Sequence, residues 1–322
     1  MLPTNFSLAQ YRFTLQALEN IPLPPLKSTT LRGGFGLAFK NMACLYRQPC
    51  REACQTHAHC PYGYLFESKA QAHDIPRPFI IRSPQDQRTQ LPAGETFSFT
   101  MSLIGEGQTL LPHIIATFHN LGQRGLGQKR GQYRLWQVDG LVPYTQRTEL
   151  VYQASDGLIH SPELSLTTAM VLEHVGYTPP EAQTETEPLA QTLTLNFLTP
   201  TQLKAQGQVV KAGPSFYTLL KTLLTRIQLL SQHHCHQTWT ADFKTLNEQA
   251  KTVEIIASQT HQQSWQRTSS RQKQKIYMDG LVGQITYHGH LSPFIPILAL
   301  GEYTHVGRKT VFGSGQYQIL TL

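Results

Sequence analysis

Tyr11–Leu18 alternates apolar and polar positions, which predicts a strand. The Pro-rich bend Ile21–Pro25 ends it, and Ser28 or Thr29 is placed to cap a helix starting near Leu31. That helix reads Leu31-Arg32-Gly33-Gly34-Phe35-Gly36-Leu37-Ala38-Phe39-Lys40, apolar at helical spacing but with three glycines. Each glycine costs roughly 1 kcal/mol inside a helix, so another backbone or an RNA strand is expected to pack closely there. Phe79–Arg82 and Thr96–Leu103 predict two more strands, Leu110–Leu121 a helix with Pro112 in its first turn, and Gly131–Val138 a strand. This order, β-α-β-β-α-β, is that of a ferredoxin-like unit.

Further strand-like pieces follow at Leu150–Gln153 and Leu164–Thr168, and then residues 178–188 have the composition of a linker. The pattern then restarts. Leu193–Leu198 is a predicted strand, Phe216–Gln232 a long amphipathic helix and Val253–Ser258 a strand. Ile276–His288 follows as a strand or hairpin, Pro293–Leu300 as a helix and Gln316–Leu320 as the last strand. The expected architecture is therefore α+β, with two tandem ferredoxin-like (RRM-like, βαββαβ) domains. The first would span residues 1–178, a linker 179–190 and the second 191–322.

An internal repeat supports that division. Gly131-Gln132-Tyr133-Arg134-Leu135 matches Gly315-Gln316-Tyr317-Gln318-Ile319, and Leu110-Leu111-Pro112-His113-Ile114 matches Leu291-Ser292-Pro293-Phe294-Ile295. The two matches are 19 residues apart in the first copy (Pro112 to Gly131) and 22 in the second (Pro293 to Gly315). Each copy carries a glycine-rich basic loop. In the second, His305-Val306-Gly307-Arg308-Lys309 leads to Gly313-Ser314-Gly315, where bare N–H groups could cradle an anion and two cations add charge.

Net charge is +7, and all the excess lies late in the chain. Residues 1–200 carry 15 Lys+Arg and 15 Asp+Glu, whereas residues 201–322 carry 12 and 5, which favours a polyanion partner for the second half. The apolar stretches are too short to span a bilayer, and MLPTNFSLAQYRF has no secretory-signal pattern. A cytoplasmic protein without a membrane partner is expected.

Four of the five cysteines fall between Cys44 and Cys60, as Cys44, Cys50, Cys54 and Cys60. Cytosolic chains rarely keep disulfides, and four thiolates on one loop suit a structural Zn²⁺. His57 and His59 are substitute ligands, and an iron–sulfur cluster or unligated thiols are the alternatives. A closed four-ligand site does no chemistry.

The helix start LRGGFG, the cysteine loop closing in CPYGYLFE and the C-terminal HVGRKTVFGSGQY together resemble the CRISPR repeat-processing endoribonucleases, the sixth Cas family, within the RAMP superfamily. The resemblance implies metal-independent cutting of CRISPR precursor RNA within its repeats. The ribose 2′-OH would attack the adjacent phosphate, leaving a 2′,3′-cyclic phosphate and a 5′-OH. It also implies other Cas proteins, of an effector or adaptation complex, as partners. Such chemistry needs a base, an acid and a cation. The family's histidine commonly sits on or just after the first helix, but residues 31–43 hold none, only Arg32 and Lys40. His305 is the first alternative, with Tyr303 and Lys309 as its companions, ahead of His57, His59, and of His288 and His290, expected near the same loop. The cluster His233-His234-Cys235-His236 reads as a helix end. RNA contacts are expected from Gly307, Arg308, Gly313, Gly315, Arg32 and Lys40, and from Arg267, Arg271, Lys273 and Lys275 in a basic segment opened by Trp265. The alternative is a catalytically inactive RAMP subunit that binds guide RNA in an effector complex.

Overall fold

The computed structural model describes residues 2–44, 54, 60–67, 75–84, 86, 88–177, 191–269 and 274–321. The chain divides into two compact units, Ser7–Leu166, and Thr167–Leu322 together with the first six residues. The boundary thus falls ahead of the predicted linker 179–190, which lies outside the described residues.

In the first unit, β1 (Ser7–Ala17) leads to α1 (Lys27–Ala43) and a short α2 (Pro61–Phe66). Then come β2 (Phe79–Arg82), β3 (Thr96–Ile104), α3 (Leu111–Arg124), β4 (Tyr133–Leu141) and β5 (Thr148–Gln153). The sheet order is β2-β3-β1-β4-β5, every pair antiparallel. The first four strands have the order of a βαββαβ unit, because each helix carries the chain over one face and returns it to a non-adjacent strand. Alternation in β1 buries Phe13 and Leu15 under the helices and leaves Arg12 exposed on the other face. Phe13, Phe35, Phe66, Phe79, Phe99 and Phe118 form a connected aromatic core, with Phe35 stacked on Phe118 at 5.1 Å and Phe13 on Phe99 at 5.2 Å. Gly34 and Gly36 of α1 serve this packing, against side chains and not the expected second backbone, whereas Gly33 faces open space. A Cβ on Gly34 would stand 3.1 Å from Leu121 of α3, and one on Gly36 3.3 Å from Phe66.

The second unit contains α4 (Thr168–His174), β6 (Gln191–Thr201), α5 (Phe216–His234) and α6 (Phe243–Ala250). Next are β7 (Glu254–Ser258), β8 (His261–Gln263), β9 (Gln266–Ser269), β10 (Gln274–Tyr277) and β11 (Gly280–Gly289), then α7 (Ile295–Thr304) and β12 (Tyr317–Thr321). The main sheet runs β7-β11-β6-β12, again antiparallel and in the same relative order, with β8 also on β11. Helix α7 is apolar on nearly every side, and Pro296 to Gly301 are all buried. It is therefore the unit's central helix.

The repeated Gly-Gln-Tyr has a physical basis. Tyr133 donates its hydroxyl to the carbonyl of Phe118 at 2.8 Å, and Tyr317 donates to the carbonyl of Leu298 at 2.6 Å. In each unit the ring of the last strand thus locks onto the preceding helix. Both helices give it room with a glycine: a Cβ on Gly122 would lie 3.1 Å from the Tyr133 ring, and one on Gly301 1.9 Å from the Tyr317 hydroxyl.

Two expectations change. The basic segment from Trp265 is a β-hairpin, β9 against β10 in the register Gln266↔Tyr277 to Ser269↔Gln274, where polar composition hid the strands. His288 pairs with Thr192 at the start of β6, whereas the C-terminal glycine-rich loop packs on Thr199, Pro200 and Gln202 at its far end. Seven or more residues of strand separate them, roughly 25 Å, so His288 is remote from that loop, and His290 follows it away from the sheet. Helix α6 was also missed. Its apolar positions are few, and Asp242 starts it by accepting from the Thr245 N–H at 3.0 Å.

Candidate nucleic-acid interface

The interface is built where α7 ends and the chain returns to β12. Its frame comes from β6. The Thr199 hydroxyl donates to the carbonyl of Gly313 at 2.8 Å and accepts from the Gln316 N–H at 2.9 Å. The Arg308 N–H reaches the Gln202 carbonyl at 3.3 Å, and the Gly315 N–H reaches Pro200 at 3.2 Å. The loop closes on itself through the Val306 N–H and the Gly315 carbonyl at 2.9 Å. Glycine is required at two of these points. Gly307 and Gly315 have φ of 86° and 77°, and added Cβ atoms would strike the Gln202 and Val306 carbonyls at 2.5 and 1.8 Å.

This framework occupies part of the expected anion cradle. The N–H groups of Val306, Arg308, Phe312, Gly313, Gly315 and Gln316 are all taken by carbonyls or by Thr199. Side chains add to what the loop can offer an anion, with Arg308 exposed and Lys309 half-buried in a left-handed conformation at φ 62°. Lys309 donates from Nζ to the carbonyl of Tyr277, the last residue of β10. The structure thereby joins two stretches that are over 30 residues apart, the glycine-rich loop and the basic hairpin. At the hairpin's base Tyr277 is 50% exposed, and the Met278 N–H is held by the Trp265 carbonyl at 2.7 Å. The backbone of β9 and β10 is described at Arg267 and Lys275, while Arg271 and Lys273 lie outside the described residues.

His305 is placed differently from the other candidates. It is 1% exposed, and its Nδ1 lies 3.1 Å from the Ser314 carbonyl, so the protonated nitrogen donates across the loop. Its backbone has φ 58° and ψ 170°, a region that is otherwise glycine's. Tyr303 is half-buried on the last turn of α7. Beneath them Arg226 of α5 is buried and donates from Nε to the Thr304 carbonyl at 2.8 Å, a cation at the C-terminal end of α7. Burial pulls its pKa down from the ordinary arginine value to about 9. Sequence reading missed Arg226, because a lone arginine in an amphipathic helix gives no signal.

In the first unit, Arg32 and Lys40 lie over aromatic rings. The Arg32 guanidinium is 5.3 Å from the centre of Phe66, and Lys40 Nζ is 5.5 Å from that of Tyr62, so both tie α1 to α2. Cys44 follows α1 and Cys60 precedes α2, with Cys54 between them; all three are partly exposed. Among the described residues, no three His, Cys, Asp or Glu side chains come close enough to hold a metal ion. Cys50, His57 and His59 lie outside the described residues. The described residues also contain no helix long and apolar enough to cross a membrane. At the end of α5, His234 is buried, and Cys235 follows as the cap.

Residues 6–164 match a family model described as an N-terminal domain, and residues 195–317 match that of the CRISPR-associated endoribonuclease Cas6. No curated protein matches the chain. Among solved structures, the product complex of a Thermus thermophilus Cas6 is similar with a TM-score of 0.57 and 16% identity, over 97% of this chain and 100% of that one. A second Cas6 product complex has a TM-score of 0.53 and 16% identity, over 98% and 100%. A partial Cas6-RT-Cas1–Cas2 complex has 0.56 and 14%, over 99% of this chain but 46% of that longer one. At these identities the likeness is one of fold. Residues 195–317 thus match the family model of the CRISPR-associated endoribonuclease Cas6, within a fold similar to that of solved Cas6 proteins along almost the whole length of the chain.

Proposed function

We propose that the protein is a metal-independent endoribonuclease that cuts CRISPR precursor RNA within its repeats, using two tandem ferredoxin-like domains. The observation that carries this reading is the family match over residues 195–317, which includes the whole loop from His305 to Gly315. In this reading the ribose 2′-OH gives up its proton to water as its oxygen attacks the neighbouring phosphorus, the bond to the 5′ oxygen breaks, and that oxygen takes up a proton from water. The products are a 2′,3′-cyclic phosphate and a 5′-OH. Arg308 and Lys309 stabilise the phosphate as negative charge builds on its oxygens. His305 acts through the loop: with its ring buried and turned onto Ser314, it sets where those two cations stand.

A second reading is favoured by two specific observations. Helix α1 contains no histidine, and the His305 ring is covered. A protein that binds repeat or guide RNA without cutting it, alongside other Cas proteins, would need neither an open base nor an open acid. Incubation with the native repeat RNA in EDTA separates the two. Cutting within the repeat supports the endoribonuclease, and tight binding without cutting supports the binding subunit.

A further inference from the structure

The first unit contains a shorter counterpart of the C-terminal loop. Helix α3 ends with the Gly125 N–H on the Leu121 carbonyl, as α7 ends with the His305 N–H on Gly301, at 2.9 and 2.8 Å. Leu126 and Gly131 then exchange two backbone hydrogen bonds of 2.9 and 3.1 Å, where Val306 meets Gly315 in the second unit. Counted from the helix end, Lys129 stands where Lys309 does.

The first loop is rigidly held. Leu126 is 2% exposed and lies against α1, close to Gly34. A Cβ on Gly125 would fall 1.9 Å from the Arg130 carbonyl, and Gly127 has φ 78°. Arg130 itself is held at φ 52°, a left-handed conformation that an arginine adopts at a cost of about 1 kcal/mol or more. The consequence is an exposed cationic tip, Lys129 and Arg130, beside Arg124 on the last turn of α3. At the end of the loop Glu19 accepts from the Gln132 N–H at 3.0 Å.

The loop runs through exposed Gln132 into β4, whose outward residues near its start are Arg134 and Trp136. Trp136 is 38% exposed, and the Arg134 guanidinium lies 5.5 Å from its ring centre while donating to the Ala154 carbonyl at 3.1 Å. From Gly131 to Trp136 the strand covers about 16 Å. An exposed indole braced by a guanidinium, on the strand that follows two loop cations and one at the helix end, is the combination that single-stranded nucleic acid uses: phosphates on the cations and a base on the ring.

We infer that the first unit holds a second RNA-strand site, with Arg124, Lys129 and Arg130 on the phosphates and Trp136 stacking a base. The inference rests on the reading that the protein binds repeat RNA, and its test separates the two. Binding of the single-stranded native repeat would be measured across a salt series for wild type, for Arg124→Gln/Lys129→Gln/Arg130→Gln, and for Trp136→Ala and Trp136→Phe. The triple variant should bind at least tenfold more weakly at low salt and lose about 2 from the slope of log K against log salt. Trp136→Ala should weaken binding by about fivefold or more, and Trp136→Phe should keep most of the affinity. Thermal melting checks that the variants are folded. If wild type binds the repeat and the triple variant matches it in affinity and slope, the inference is overturned and the functional reading stands. If wild type does not bind the repeat, both are overturned.

Discussion

His305 occupies in the second unit the backbone position that Gly125 occupies in the first. The two have φ, ψ of 58°, 170° and 82°, 151°, and each donates its N–H to the carbonyl four residues earlier. A side chain is thus kept where a glycine would cost nothing. The longer second loop makes this feasible, because it leaves room for the imidazole to lie under Ser314.

This relationship makes a prediction about stability. His305→Ala should lower stability by about 2–4 kcal/mol, since it leaves a cavity and an unpaired Ser314 carbonyl while retaining the backbone strain. His305→Gly loses the same ring but relieves the strain, so it should be more stable than the alanine variant by about 1 kcal/mol. Denaturant unfolding of the two variants side by side checks the difference.

Arg308 is exposed and Lys309 bridges to β10, so their replacement should have different consequences. Arg308→Gln should weaken RNA binding to a similar extent for all sequences and reduce the salt slope by about 0.7. Lys309→Ala should do the same and also speed amide exchange in Gln266–Ser269, because the hairpin loses its tie to the loop. Titration across salt, with exchange followed by mass spectrometry, distinguishes them.

At the start of α1, buried Lys27 meets Asp86 at 2.7 Å and also donates to its carbonyl at 2.8 Å. Burial alone would raise the Asp86 carboxyl, but hydrogen bonds from Lys27 and Arg88 outweigh it and hold its pKa below the usual carboxylate value. Its stabilising contribution is therefore present above the ordinary carboxylate range and disappears as pH falls through the lowered value. Asp86→Asn, which leaves Lys27 without its counter-charge, should cost about 2–3 kcal/mol at neutral pH. The loss should shrink in acid, as a pH series of unfolding curves would show.

Glu302 has the opposite sign. Burial raises its pKa, although it accepts the Ile319 N–H at 2.8 Å. Its contribution is fully present below the ordinary carboxylate range and is lost as pH rises through the raised value. Glu302→Gln keeps a carbonyl for Ile319 and has no charge to bury. Its melting temperature should exceed that of wild type at pH 8, and the gap should close near pH 4.

Much of this architecture was legible because strand alternation is local. Phe79–Arg82 was read to the residue, and the Gly-Gln-Tyr repeat marked both last strands. The hairpin β9–β10 was not, since Gln, Arg, Lys and Ser dominate it and its order comes from pairing that composition does not reveal. The glycine-rich loop was legible as a tight turn into the last strand, but the coverage of His305 was not. Burial of that ring depends on Ser314, nine residues later, and on the turn between them. The packing of Arg32 and Lys40 was hidden for the same reason: α2 places Phe66 and Tyr62 under them only once the chain is folded.

The most direct test of the proposed chemistry compares two repeat RNAs under single-turnover conditions in EDTA. One is all-ribose; the other has a single 2′-deoxy sugar on the 5′ side of the cut bond. Cutting of the first with a 2′,3′-cyclic phosphate end, and no cutting of the second at that bond, is the expected result. Equal cutting of both, or no cutting of either, would contradict attack by the 2′-OH.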